Sequence, residues 1–222
     1  MRQGVDEAHE LDWVRAAHLD RIRSANPAAG VAGPTAPESL MYAGHFAAAL
    51  ALKARQPRAP TWALLVGVAL LDLLFGLFVP LGIERVTPTP GVPPGFRLDF
   101  IDWSHSLAAA LFWSLLYALC FARRGWAVAY ILGVSVFSHF LLDWPMHPGD
   151  LALWPGSAAH VGLGLWRLLP TGWWFVELAF IVAGCAYYAA GARRHGSFGG
   201  RWPWACAVVL LLHVFNAPWL SR

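Results

Sequence analysis

The sequence predicts an all-α protein, a polytopic membrane helical bundle with about five to six transmembrane segments. Three observations predict it. Of the 222 residues, 58% are hydrophobic and only 13% are charged, where a soluble domain carries about a quarter charged residues. The apolar residues are gathered into blocks long enough to address a bilayer core roughly 30 Å thick. The basic residues sit in short runs between those blocks, as they do in membrane loops.

The blocks follow in order. Residues 1–38 form a polar extension that opens with an amphipathic pattern (Leu11, Val14, Ala17, Leu19, Ile22) and passes into a Pro/Ala/Gly-rich linker. It lacks the apolar core of a signal peptide and reads as a solvent-exposed segment, separate from an integral membrane domain over 39–222. The membrane domain begins with a short block, Leu40–Leu52. Five longer ones follow: Thr61–Ile83, Ser106–Ala122, Trp126–Leu142, Gly172–Ala192 and Pro203–Leu220. Tryptophans 62, 103, 126, 144, 154, 173, 174, 202, 204 and 219 fall near block ends, where amphipathic rings anchor at the membrane interface.

Charge sets the expected orientation. With the short first block crossing, Lys53, Arg55, Arg58, Arg123, Arg124, Arg193, Arg194 and Arg201 share one side, against Arg85, Arg97, Arg167 and Arg222 on the other. The positive-inside rule puts the first group in the cytoplasm of a cell whose inner membrane holds the chain. The four arginines of the extension oppose this orientation. A net charge of +3 without a basic stripe gives no footprint for nucleic acid. Cys120, Cys185 and Cys206 are far apart in apolar blocks, which supports neither a disulfide framework nor a thiolate metal site.

Ionisable residues inside membrane segments are costly and mark function by default. On this topology they gather on the extracytoplasmic side. His45 lies near the outer end of the first block and Asp72 within the second; Glu84, Arg85, Asp99, Asp102 and His105 fall between the second and third. His139 and Asp143 close the fourth block, and His147 and Asp150 follow it. His139 and Asp143 are i and i+4, so they share a helical face and can offer an imidazole nitrogen and a carboxylate oxygen to one ion. Pro145 is expected to end that helix, letting His147 and Asp150 fold back. Ser106, after His105, is placed to cap a helix, and Ser138 precedes His139.

Histidine and carboxylate ligands without thiolates suit a divalent metal, zinc first, with manganese or iron as alternatives. In this reading His45, His105, His139, Asp143 and His147 are ligands. Asp72 and Asp150 bridge a second ion or act as general base. Each has a plainer alternative: His139 with Asp143 as a polar pair joining two helices, Glu84 with Arg85 as an interfacial ion pair, and His160 and Glu177 as structural residues. HExxH and GxSxG are both absent, which removes zincins and serine hydrolases of those types.

The order His45, Asp72, Asp102-x-x-His105-Ser106 and Ser138-His139-x-x-Leu142-Asp143 resembles the membrane-bound metal-dependent hydrolases, the YdjM-like group of small bacterial inner-membrane proteins. The likeness spans roughly residues 41–160. Ser104 stands where the family has a threonine, and Asp72 lies mid-block rather than at a helix end beside a proline. The resemblance implies a metal-dependent hydrolase in the membrane. A site at the outer bilayer edge implies a lipid, lipid-linked or other amphiphilic substrate, with phosphoester cleavage fitting two-metal chemistry. Two other classes remain open: a proton- or cation-coupled transporter, and a non-catalytic membrane scaffold.

Overall fold

The computed structural model describes residues 42–89, 96–147, 149–169, 171–196 and 200–217, so the extension over 1–38 lies outside the described residues. The chain is mostly helical. Helix α1 (Tyr42–Arg55) is followed by α2 (Thr61–Phe78), then by strands β1 (Arg85–Pro88) and β2 (Phe96–Phe100). Next come a single-turn helix α3 (Asp102–His105), α4 (Leu107–Cys120), α5 (Trp126–Met146), the short α6 (Leu165–Leu168), α7 (Gly172–His195) and α8 (Trp202–Phe215).

Three helices, α2, α5 and α7, are long and apolar enough to cross a membrane, while α4 and α8 are shorter apolar helices. Their outward faces carry large apolar side chains, among them Leu73, Leu115, Tyr130, Phe175 and Leu211. In water such a surface would be an aggregation liability; in a bilayer it meets its natural solvent.

Two local readings need correction. The segment between the second and third apolar blocks is no plain loop: β1 and β2 pair antiparallel, with a register shift between Arg85 and Val86. Four- and five-residue strands are too short to leave a clear period-2 signal, so the sequence reads as loop. Pro145 also does not end its helix. It lies inside α5, which continues one residue further to Met146, so the helix gives up the bond from residue 145 back to the Leu141 carbonyl and stops just after the proline instead of before it.

Small residues decide how closely the helices pack. A Cβ on Gly184 would sit 3.1 Å from the Ala47 carbonyl oxygen, and one on Gly191 would sit 2.7 Å from the Ala54 Cβ. Both contacts advance by seven residues, so α1 and α7 run parallel along a seam of glycine and alanine, the kind of close approach small residues permit in membrane bundles. On its other side α1 packs against α2, α5 and α8. Helix α5 is buried against α2 and α4; Gly133 faces the Ser114 carbonyl, and the Tyr117 hydroxyl donates to the Ala63 carbonyl at 2.7 Å. The basic residues Lys53 and Arg55 close α1, and Arg193 and Arg194 close α7, so these parallel helices carry their positive ends together.

Candidate metal centre

Four helices bring the polar side chains to one place. His45 stands in the first turn of α1, Asp72 six residues before the end of α2, and His105 ends α3; His139 and Asp143 lie in the last two turns of α5. Their separations form a closed set. The Asp143 carboxylate lies between histidines, with Oδ1 3.3 Å from His45 Nε2 and Oδ2 3.0 Å from His139 Nε2 and 3.9 Å from His105 Nε2. Asp72 Oδ1 lies 3.5 Å from His105 Nε2 and 3.6 Å from His139 Nε2. The groups His45–His139–Asp143 and Asp72–His105–His139 each bring their ligand atoms within 4.8 Å of one another and can hold a metal ion. Atoms sharing one ion at about 2.0–2.1 Å in tetrahedral array stand roughly 3.3 Å apart, inside the range seen here.

The imidazoles are turned deliberately, with Nε2 toward the centre in all three. His139 Nδ1 is 2.7 Å from the Val68 carbonyl, an acceptor only, so Nδ1 donates to it and Nε2 is the nitrogen that faces Asp143 and Asp72. A backbone carbonyl behind a ligand histidine is the usual outer support of a metal site. His105 Nδ1 is 2.6 Å from Ser104 Oγ, which itself donates to Glu84 at 2.8 and 2.9 Å. The rings pack on one another, His45 on His139 at 4.0 Å and His105 on His139 at 5.3 Å between centroids. Asp72 is the most open member, its side chain 29% exposed against 6–7% for His45, His105 and Asp143. Asp72, on α2, is thus the member of the cluster nearest the surface.

The remaining candidates divide. His147 and Asp150 pair with each other, Nδ1 to Oδ1 at 3.0 Å, and the His147 ring lies 6.5 Å from that of His105. Among the described residues neither belongs to a metal-holding group. They form a wall beside the cluster. Ser106 caps α4, accepting from Ala109 N at 3.2 Å. The Ser138 hydroxyl turns back to the Ser135 carbonyl on its own helix. Asp102 accepts from Gly156 N at 2.8 Å, tying the 147–164 segment to α3. Glu84 turns inward to Ser104 rather than forming an ion pair with Arg85, which lies over the Phe100 ring. Burial pushes the Glu84 carboxyl above its usual range, and the Ser104 hydrogen bonds draw it partly back. Asp99 sits on the hairpin with Thr87 and Arg97, which hold its carboxyl below the usual range, Thr87 the more strongly. His160 is exposed, its Nδ1 against the Ala158 carbonyl.

The segment after α5 folds back because Gly162 lets it. A Cβ there would meet the His147 carbonyl oxygen at 2.3 Å and Gly149 N at 2.5 Å. Both obstacles are backbone and cannot rotate away. Gly162→Ala is expected to destabilise the protein by about 1–3 kcal/mol and to displace His147 from its place beside His105, read as a lowered unfolding temperature in detergent.

Several supports are not visible as motifs. The Val68 carbonyl has no side-chain signature. Ser104 acts through its hydroxyl on the neighbouring ring. Glu177 accepts from Gly44 N at 2.8 Å and faces His213 Nδ1 at 3.3 Å with both side chains fully buried. Glu177 thus holds the residue before His45, while the His213 ring stacks on Trp174 at 4.3 Å. The one available signal was general: a glutamate and a histidine inside apolar blocks need partners. Comparison of the chain with protein-family models, curated proteins and solved structures finds no match.

Proposed function

We propose that this chain is a multi-pass inner-membrane hydrolase that uses a divalent metal, zinc first, on a lipid-like or other amphiphilic phosphoester. The observation that carries the reading is the convergence of three Nε2 atoms and two carboxylates from four helices, with the far nitrogens of His139 and His105 already held. The three Nε2 atoms face the Asp72 and Asp143 oxygens at 3.0–3.9 Å, close enough for one ion to sit among them. His45, His105, His139 and Asp143 would hold the ion, and a bound divalent metal supplies a water acidified toward neutrality. Asp72, the open carboxylate, is placed to take that water's proton. His147, oriented by Asp150, is placed to return a proton to the departing alkoxide.

In this reading α2, α5 and α7 cross the membrane together with the shorter α4, α8 and α1, giving the five to six passages, with the arginine-rich ends in the cytoplasm. The shorter helices, at 14 residues each, would span about 21 Å and cross where the bilayer thins around the bundle. The cluster then lies near the outer interface, where a lipid can approach sideways past Asp72. A conduction path needs polar groups at every depth. Apart from Tyr117 and Tyr130, α4 has no ionisable side chain from Leu107 to Leu119 and α5 has none from Trp126 to Phe137, which favours a pocket over a channel.

The test is metal content together with hydrolysis. Protein purified in detergent is expected to hold stoichiometric divalent metal, to lose it to a chelator with a fall in unfolding temperature, and to cleave a phosphoester amphiphile only when metal is restored. Wild-type protein that neither retains nor rebinds metal would end the proposal.

A further inference from the structure

His139 and His105 face the same cluster but are held by different means. Behind His139 stands a backbone carbonyl, which no substitution removes. Behind His105 stands a chain of two side chains. Glu84, 1% exposed, accepts from Ser104 N at 2.7 Å and from Ser104 Oγ at 2.8 and 2.9 Å. Ser104, fully buried, has one hydroxyl proton and three neighbours that compete for it: the Glu84 carboxylate, the Ile101 carbonyl at 3.2 Å, and His105 Nδ1 at 2.6 Å. A charged acceptor at short range wins the proton over a longer neutral carbonyl. The hydroxyl oxygen is then left as an acceptor facing Nδ1. Nδ1 must then carry a proton, and Nε2 is the nitrogen left for an ion among Asp72 and Asp143.

We infer that Glu84 and Ser104 are positioning residues, a relay that fixes the His105 tautomer and thereby sets how tightly the cluster binds a divalent cation; this rests on the metal reading above. The relay reaches His105 from the segment that follows α2, the helix that carries Asp72. One side of the cluster is thus tied together through hydrogen bonds as well as packing. The Phe75 ring meets His105 edge-on at 6.0 Å between centroids and limits the ring's freedom to turn, so the relay has only to choose which nitrogen bears the proton.

The experiment is a cobalt(II) titration of full-length protein in detergent after metal removal, reading both affinity and the visible d–d spectrum. Ser104→Ala is expected to weaken cobalt binding about ten- to hundredfold and to shift the spectrum, because His105 loses the acceptor that defines its tautomer. Ser104→Thr restores the hydroxyl and is expected to return both readouts to wild type. Glu84→Gln is expected to weaken binding too, since its amide group offers Ser104 a donor where a carboxylate offered only acceptors. Ser106→Ala removes the neighbouring hydroxyl, which caps α4 and touches no ring nitrogen; it should lower the unfolding temperature without moving the spectrum. Ser104→Ala with wild-type affinity and spectrum would overturn the relay while leaving the metal centre standing. So would Ser104→Ala and Ser104→Thr failing alike at an unchanged unfolding temperature. Wild-type protein that takes up no cobalt would overturn the metal centre, and the relay with it.

Discussion

Replacing His139 with alanine is expected to empty the metal centre, lowering bound metal from about one ion per chain to a trace and raising the dissociation constant by at least a hundredfold, the cost of one ligand and its outer support together. His139 is the member common to both metal-holding groups. It touches Asp143 at 3.0 Å and Asp72 at 3.6 Å, and its ring packs against those of His45 and His105. Removing it takes away a ligand atom and leaves two carboxylates facing each other without the imidazole between them. Plasma emission analysis of metal in purified protein, beside Asp143→Ala and the wild type, measures the effect directly. His139→Ala that retains wild-type metal would move the ligand set elsewhere. Stability should fall as well, because the ring is 1% exposed and its deletion opens a cavity lined by polar atoms.

The second large effect is expected at Glu177, away from the ligands themselves. Glu177→Ala should cost on the order of 3 kcal/mol, since it strands the Gly44 N–H and exposes the buried face of His213. Both Glu177 and His213 side chains are fully buried, and Glu177 Oε2 and both His213 ring nitrogens have no hydrogen-bond partner among the described residues, Oε2 and Nδ1 facing each other at 3.3 Å. Gly44 immediately precedes His45, so freeing it should also loosen the first turn of α1 and weaken metal binding. Glu177→Gln keeps an acceptor for Gly44 and adds a donor for His213, and should recover most of the loss. Thermal unfolding in detergent, followed by metal titration of each variant, separates the packing effect from the effect on the site. Equal stability of Glu177→Ala and wild type would mean the pair is inert.

Much of the candidate site was legible in the sequence because membrane segments punish stray polarity. An aspartate at 72 and histidines at 45 and 139 stand out against their apolar neighbours, and the four-residue step from His139 to Asp143 puts both on one face by helix geometry alone. Contacts between distant parts of the chain were not legible. The pairing of Glu177 with His213 depends on how α7 and α8 pack, which periodicity does not report. Adjacency misled at Glu84: Arg85 is its neighbour in sequence, but the turn into β1 sends the two side chains in different directions, one to Ser104 and the other to Phe100. His147, expected as a further ligand, is held at Nδ1 by Asp150, three residues on, and among the described residues it joins neither metal-holding group. Fold class came through more clearly than helix ends. Helix α2 ends at Phe78 rather than Ile83, since Pro80 and Gly82 break the run before the apolar residues stop.

The bond from His139 to the Val68 carbonyl has a consequence for assembly. Val68 and Asp72 are one helical turn apart on α2, so a single stretch of backbone both steadies the histidine and delivers the carboxylate opposite it. Were α2 to insert one residue out of step with α5, Asp72 would rise by about 1.5 Å and swing by roughly 100°, and the carbonyl would leave His139 in the same slip. A chain so misthreaded would keep the His45–His139–Asp143 group but lose the Asp72–His105–His139 group and the carbonyl behind His139, so its histidine would be left unsteadied on the side where the second carboxylate should stand.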